Sequence, residues 1–284
     1  MNKLIILMNC PDKKGIISDV TNFIHKNKGN IVYIDQYVDR VNLTFFMRLE
    51  CEINASEKEI QKIISELSKN FGDRYSMNFN FYNSDQKPKM GILVSKYEHC
   101  LYDILSRFQS KELNVDIPFI ISNHKDLKHI ANRFEIPFYH IPVDKENKIE
   151  AEKKQMKLFK KYKIDFIVLA RYMQILSKSL ITEYPNKIIN IHHSFLPAFP
   201  GAKPHHSAYE RGVKIIGATC HYVTENLDQG PIIDQNITGV SHLDSIKNFI
   251  SKGRDLERVV LSRSLQLHVA RKIMVYKNKT IIFS

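Results

Sequence analysis

Met90-Gly91-Ile92-Leu93-Val94 begins an alternation of short apolar runs and amphipathic segments that decides the fold of most of the chain. The predicted elements that follow alternate between helix and strand: 98–108, 117–122, 125–134, 138–141, 148–162 and 165–170. Such alternation predicts a Rossmann-like α/β fold, with a mostly parallel sheet covered on both faces. Ligands on such sheets bind beyond the carboxyl ends of the strands, where Ala170 and Asn190-Ile191-His192 lie. Residues 244–268 predict a helix, and 273–276 with 280–283 predict a terminal hairpin.

The first 82 residues follow a different order of elements. Apolar alternation predicts strands over 3–10, 30–39, 42–52 and 75–82, and amphipathic periodicity predicts helices over 15–24 and 56–70. Ser56 followed by Glu59 forms a capping-box pattern, and Gly29 suits the end of the first helix. The order βαββαβ is that of a ferredoxin-like fold. Because 83–88 is polar and ends in proline, we expect domains at 1–82 and 89–284 joined by an 83–88 linker.

Size and charge limit the classes of protein to which the chain can belong. With 284 residues, the chain is long enough for two domains that each bury a core. The formal net charge is +12 and the pI about 9.4, but the lysines are dispersed among acidic residues without a nucleic-acid motif. This favours a polyanionic small molecule over nucleic acid. No apolar run has the length of a signal peptide or membrane span, so we expect a cytoplasmic protein with no membrane partner.

A polar trio is predicted at the end of the apolar run Lys187-Ile188-Ile189. Asn190 and His192 project the same way because side chains alternate along a strand, and Asp228 in the turn 227–231 completes the trio. An amide N–H and a protonated imidazole hold a developing oxyanion, while a carboxylate orients the imidazole and moves protons. The trio therefore predicts acyl transfer or hydrolysis, and it names no substrate.

Cysteine and histidine offer two other chemistries. The four cysteines show no C-x-x-C pair and are expected to be buried free thiols, although Cys100 or Cys220 with a histidine is an alternative nucleophile. A zinc site is the second alternative, since three other histidines invite it: His193, His205 and His206. No metalloprotease motif accompanies them, and a strand would turn His193 away from His192, so we expect no metal.

Several segments resemble the folate-dependent formyltransferase family, over nearly the whole chain. The matching motifs occur in the family's order: Asn190-Ile191-His192, 194–201, 217–223 and 227–233. Further motifs resemble the deformylase branch of that family: His192-His193, Gly201-Ala202-Lys203-Pro204, 208–212 and Gly253-Arg254-Asp255. The resemblance includes an N-terminal ACT-like domain, 1–82, whose family binds small amino acids at domain interfaces. An amino-acid effector and a purely scaffolding role both stay open for that domain, and a homo-oligomer is expected.

The resemblance also implies roles for named residues. Asn190 becomes the oxyanion donor, His192 the electrostatic stabiliser and proton donor, and Asp228 the group that manages the water proton. His221, on an alternating strand, is expected to order Asp228 or water behind the reacting groups. No cofactor is implied, because the folate is the substrate. The segment that lines the pterin slot in the family corresponds here to six residues, which otherwise form an ordinary loop: Arg171, Tyr172, Met173, Gln174, Ile175 and Leu176.

One segment bears on whether the formyl group is passed to water or to an amine. The family's glycinamide ribonucleotide transformylases cradle the acceptor's phosphate on a loop rich in Gly, Ser and Asn after the first strand. This chain has Ser95-Lys96-Tyr97-Glu98-His99-Cys100 there, so we expect a phosphate to meet crowding and a like charge. Water then remains as the nucleophile, and the resemblance implies hydrolysis of 10-formyltetrahydrofolate to tetrahydrofolate and formate, balancing folate pools and supplying formate for purine synthesis. A formyltransferase to another amine, or a silent binder of folate or amino acids, is the alternative.

Overall fold

The computed structural model describes residues 2–198 and 204–284, and the contacts among them divide the chain into two units. The first unit consists of Met1–Lys87 with Ala270–Met274 and Ile281–Ser284, and the second of Pro88–Val269 with Val275–Thr280. The linear division into 1–82, 83–88 and 89–284 stays a prediction.

The first unit contains a four-stranded antiparallel sheet with two helices. Its elements are β1 (Asn2–Pro11), α1 (Ile16–Lys26), β2 (Gly29–Asp39), β3 (Thr44–Ile53), α2 (Glu57–Tyr75) and β4 (Asn78–Asn83). The strand order is β2-β3-β1-β4, and every pair is antiparallel. This order confirms the predicted ferredoxin-like βαββαβ fold.

Local sequence explains where these helices begin and end. α2 begins at a capping box, because the Ser56 side chain accepts from the Glu59 N–H while the Glu59 carboxylate accepts from the Ser56 N–H. The predicted strand from Tyr75 is wrong at its start, since Tyr75 ends α2 and packs into the core. Gly29 does not terminate α1 either: it lies in β2, where a Cβ would approach Ile24 Cγ2 to 2.7 Å.

The second unit contains a seven-stranded sheet. Its elements from the first strand onward are β5 (Met90–Val94), α3 (His99–Gln109), β6 (Ile120–Ser122), α4 (Lys128–Arg133), β7 (Phe138–His140), α5 (Lys148–Tyr162), β8 (Phe166–Leu169), α6 (Lys178–Glu183), β9 (Ile188–His192), α7 (Pro204–Arg211), β10 (Ile215–Tyr222), β11 (Ile232–Gly239) and α8 (Ile246–Val269). The strand order is β11-β10-β9-β8-β5-β6-β7, in which β9 through β7 are parallel and β10 and β11 are antiparallel. The mostly parallel α/β fold is therefore confirmed.

The apolar strands at the centre of this sheet hold the polar ends in place. β5 and β8 are buried along their whole length, as expected for parallel strands with both faces covered. β8 and β9 run in parallel, so the residues after Leu169 and those around His192 emerge at the same edge of the sheet. The sheet topology thus brings Arg171 and Asn190 to one region of the fold.

The chain ends in β12 (Ile273–Tyr276) and β13 (Lys279–Ile282), which pair as the predicted hairpin. Among the helices of the described residues, none combines the length and apolar character needed to span a bilayer. The motif Gly201-Ala202-Lys203 and the preceding Phe199-Pro200 lie outside the described residues.

Candidate active site

Asn190, His192 and Asp228 meet beyond the end of β9, as the alternation of side chains predicts. His192 is the last residue of β9 and is buried, and its Nδ1 lies 3.3 Å from Asp228 Oδ2. Asn190 lies two residues earlier on the same face of the strand. The structure therefore brings an amide, an imidazole and a carboxylate into one site.

Asp228 reaches the site from an unusual backbone conformation. Its φ is 55°, in the left-handed region that Asp and Asn tolerate better than most residues. Burial acts to raise the pKa of the Asp228 carboxyl, but hydrogen bonding with His192 and His221 outweighs burial and holds that pKa well below its usual range. The carboxylate is therefore charged at neutral pH and faces the His192 ring.

His221 contacts both other members of the trio. It is the cross-strand partner of Asn190 in the β9–β10 pair, and its Nε2 lies 3.2 Å from Asn190 Nδ2 and 3.5 Å from Asp228 Oδ1. Its Nδ1–H donates to the Tyr222 carbonyl oxygen at 2.9 Å, so the neutral ring presents Nε2 as an acceptor for the Asn190 amide. His221 thus holds the Asn190 amide in place beside Asp228.

The buried Nε2 of His192 has no hydrogen-bond partner within residues 2–198 and 204–284. Its other nitrogen faces Asp228 at 3.3 Å, which favours the tautomer with the proton on Nδ1. Buried polar groups without partners are uncommon and concentrate at functional sites. The ring is accordingly oriented by Asp228 on one side and leaves a buried, unsatisfied nitrogen on the other.

All six residues predicted to line a folate slot border one cavity with the trio and His221. The cavity has a volume of about 360 Å³. The segment after β8 supplies one wall and the turn at Leu227 and Asp228 supplies another. Thr224 and Glu225 also line the cavity, and the sequence analysis missed them because a short turn carries no periodic signal.

The six residues divide between structural support and cavity surface. Tyr172 is buried, and its hydroxyl accepts a hydrogen bond from Gln155 Nε2 at 2.7 Å, so its side chain anchors the segment in the core. Met173 and Ile175 expose 48% and 61% of their surface and leave apolar side chains beside the cavity. An apolar slot with backbone polar groups suits a flat heterocycle.

Two expectations about neighbouring residues are wrong. His193 does not turn away, because β9 ends at His192: its ring centroid lies 5.2 Å from that of His192 and 5.9 Å from that of His205, and all three side chains are buried. Nor is Ser95-Lys96-Tyr97-Glu98-His99-Cys100 crowded. It borders an open cavity of about 850 Å³ whose lining includes four cations, Lys96, Arg133, Arg254 and Arg258. Glu98 also lines the cavity, so the expected carboxylate is present, although the expected crowding is not. Crowding therefore does not exclude a phosphate from this place, and another feature must decide whether water or an amine is the nucleophile.

The thiol alternative is disfavoured by burial. Cys100 and Cys220 are buried and unpaired by disulfides. Burial raises the pKa of the Cys220 thiol to about 12 and that of Cys100 well above its ordinary value. Both cysteines are therefore neutral thiols at physiological pH and poor nucleophiles.

A metal-ligand grouping occurs at a different place from the predicted histidines. Within the part of the chain that the structure describes, His99, Cys100 and Glu257 bring their ligand atoms within 4.8 Å of one another. Glu257 already accepts from His99 at 2.8 Å and pairs with Arg171 at 3.4 Å. The guanidinium supplies the positive charge that a metal ion would bring, so these residues suit a cation poorly.

The fold and the site together define an enzyme of acyl transfer or acyl hydrolysis on a doubly wound α/β sheet with an N-terminal ferredoxin-like unit. The sequence model of the Formyl transferase family matches residues 88–265, and that of the ACT domain matches residues 4–72. A formyltetrahydrofolate deformylase of Synechocystis sp. is 49% identical over 98% of both chains, and one of Bacillus subtilis is 41% identical over 98% of this chain and 93% of its own.

Solved structures agree with these relatives. A formyltetrahydrofolate deformylase of Pseudomonas syringae pv. tomato has a TM-score of 0.95 at 42% identity, covering 100% of this chain and 95% of that chain. A glycinamide ribonucleotide transformylase of Symbiobacterium toebii has a TM-score of 0.66 at 26% identity, covering 72% of this chain and 98% of that chain. The chain belongs to the formyltetrahydrofolate deformylase family.

Proposed function

We propose that this protein hydrolyses 10-formyltetrahydrofolate to tetrahydrofolate and formate, with Asn190, His192 and Asp228 as its catalytic residues. The observation that carries the proposal is the meeting of these side chains in the cavity of about 360 Å³ that the predicted folate-binding segment lines. Membership of the deformylase family supports the same substrate.

The geometry supports an oxyanion mechanism. Water adds to the formyl carbon, and the carbonyl oxygen becomes an oxyanion stabilised by an Asn190 N–H and by His192 Nε2–H. Asp228, 3.3 Å from His192 Nδ1, stabilises the imidazolium that this step requires. The bond from the formyl carbon to N10 then breaks as N10 takes a proton, giving tetrahydrofolate and formate.

Asp228 also takes up a proton of the attacking water. Its low pKa makes it a weak base toward free water, so proton uptake follows bond formation, when the oxygen bonded to carbon has become strongly acidic. His221 Nε2 accepts one Asn190 N–H at 3.2 Å and leaves the second N–H for the formyl oxygen. His221 is in this way a positioning residue for Asn190.

The folate ring lies against the segment from Arg171 to Leu176. Backbone groups of that segment read the pterin's donor and acceptor edge, and the apolar side chain of Ile175 covers the ring. The reaction needs no cofactor, because water and the folate supply every reacting atom.

The remaining features of the function rest on the fold and the family. The N-terminal unit binds a small amino acid that regulates the rate, a role its ACT domain match supports, and the enzyme works as a homo-oligomer. It acts in the cytoplasm, where it balances folate pools and supplies formate for purine synthesis. Its partners are small molecules, without nucleic acid or membrane.

One assay tests the proposal. The purified chain is incubated with 10-formyltetrahydrofolate alone, and both formate and tetrahydrofolate are measured. We expect equal amounts of the two products without any acceptor. A strict requirement for an amine would establish a transferase, and binding without turnover would establish a silent regulator.

A further inference from the structure

A cluster of one aromatic ring and three polar side chains lies between the residues that line the catalytic cavity and those that line the larger basic cavity. We call Tyr97, His99, Arg171 and Glu257 the partition. Arg171 lines the cavity of about 360 Å³ that holds the trio, whereas Tyr97 and His99 line the cavity of about 850 Å³. The two cavities have no lining residue in common. An acceptor held in the basic cavity would therefore meet the partition before the formyl group.

The partition is held together by direct contacts. The Arg171 guanidinium lies over the Tyr97 ring, with Cζ 4.9 Å from the ring centroid. Glu257 Oε2 lies 3.4 Å from Arg171 Nε and accepts from His99 Nε2 at 2.8 Å. Glu257 is only 1% exposed, so one buried carboxylate ties together α3, α8 and the loop after β8.

This arrangement is costly for stability. Nε and Nη1 of Arg171 are buried and lack hydrogen-bond partners among the described residues, and a buried ion pair gains little over apolar packing. The backbone of Arg171 is also left-handed, with φ at 62°, where a glycine would be unstrained. Arg171 thus combines unsatisfied buried nitrogens with a left-handed backbone beside the proposed reaction site. We expect such a residue to serve the reaction rather than the stability of the fold.

We propose that the partition determines the acceptor: it keeps amines in the basic cavity away from the formyl carbon and leaves water as the nucleophile. This inference rests on the proposed function. It gives a structural reason for hydrolysis, which the size of the side chains at 95–100 does not provide. The outer cavity is lined by four cations, Lys96, Arg133, Arg254 and Arg258, against the two carboxylates of Glu98 and Asp103. It therefore attracts anionic metabolites, and an unpartitioned site would face competing anionic amines.

Removal of the partition opens a transfer reaction at the same formyl carbon. The amine nitrogen bonds to the formyl carbon, the bond to N10 breaks, the amine loses a proton and N10 gains one. Arg171→Gly is the variant of choice, because it deletes the central side chain and relieves the left-handed backbone at φ 62°. Tyr97→Ala is the second variant, since Tyr97 is 41% exposed and its removal leaves the core intact.

The test supplies isotope-labelled 10-formyltetrahydrofolate and 2-aminoethyl phosphate as an anionic amine, and measures the ratio of N-formylated amine to formate by mass spectrometry. Lys163→Gly is the matched control for backbone: Lys163 is also left-handed, at φ 53°, but it follows the end of α5 and lines neither cavity. Tyr102→Ala is the control for cavity size, because Tyr102 lines the basic cavity without belonging to the partition.

We expect the wild type and both controls to give formate without N-formylated amine above the enzyme-free blank. Arg171→Gly and Tyr97→Ala should raise the ratio of transfer to hydrolysis by roughly tenfold or more, because a held amine gains effective concentration over water. An unchanged ratio in both variants, or equal transfer by the wild type, overturns the inference. If the wild type released no formate from the substrate alone, the proposed function itself would be wrong.

Discussion

Asp228→Asn isolates the charge of the carboxylate in the proposed mechanism. Asn keeps the shape of the side chain and tolerates the left-handed φ of 55°, so the backbone is not strained by the change. The carboxylate lies 3.3 Å from His192 Nδ1, which corresponds to about 5 kcal/mol of attraction for an imidazolium at an effective dielectric constant of about 20. The Asp228 side chain is 19% exposed, and the amide of the variant keeps a dipole. We therefore expect roughly half of this attraction to appear as an increase in the activation barrier.

That share corresponds to a fall in kcat of roughly a hundredfold. Steady-state and single-turnover formate release measure it, and a folate-binding assay should show nearly unchanged affinity. Asp234→Asn is the control, because it removes an ion-paired carboxylate that contacts Arg263 outside the site. A kcat near that of the wild type in Asp228→Asn would remove the carboxylate from the mechanism.

Four further outcomes follow from the same structure. Asn190→Ala should lower kcat by about a hundredfold through the missing oxyanion donor, and normal turnover would exclude that role. Burial, and then the charge of Arg171, lowers the pKa of His193 to about 3, so the unfolded chain binds the proton first. Stability should fall as pH drops from about 6.5 toward 3, by up to about 1.4 kcal/mol per pH unit. Denaturant titrations should show a shallower slope for His193→Gln and the wild-type slope for the exposed His206→Gln. A small amino acid such as glycine or methionine should change the rate with a coupling of about 1–3 kcal/mol, and Gly15→Ala, strained at φ 92°, should weaken that response; a full screen without effect would leave a scaffold. Added glycinamide ribonucleotide should leave formate release unchanged, and stoichiometric formyl transfer to it would show a transferase.

The features that could be predicted from sequence depend on short-range periodicity. The two-residue repeat of a strand places Asn190 and His192 on one face, and the register of β9 with β10 adds His221 opposite Asn190. The alternation of apolar strands and helices sets the parallel sheet and the edge where the site forms. The place of Asp228 in the site could be predicted only from its sequence motif, because no local rule brings a residue of a turn to the end of a strand.

The features that could not be predicted depend on contacts between distant elements. Glu257 lies on α8, 86 positions after Arg171 and 158 positions after His99, and its sequence neighbours look like an ordinary amphipathic helix. Likewise, the burial of His193 follows from the end of β9 at His192, which the alternation rule does not fix. The basic cavity is lined by α3, α8 and the end of α4, so residue size along 95–100 could not reveal its volume.

His193 lies close to His192, which pairs with Asp228, and its pKa is affected by Arg171, which pairs with Glu257. Its ring centroid lies 5.2 Å from that of His192, the residue that becomes positive in the proposed mechanism. A second imidazolium at that distance would oppose the charge on His192, because like charges in a buried site raise each other's cost of ionisation. With its pKa lowered to about 3 by burial and by Arg171, His193 stays uncharged at every pH at which the enzyme is expected to work. Arg171 therefore acts twice: it belongs to the partition beside the basic cavity, and its guanidinium, against the opposing charge of Glu257, helps burial keep the neighbour of His192 neutral, so that the Asp228 carboxylate compensates one imidazolium and not two.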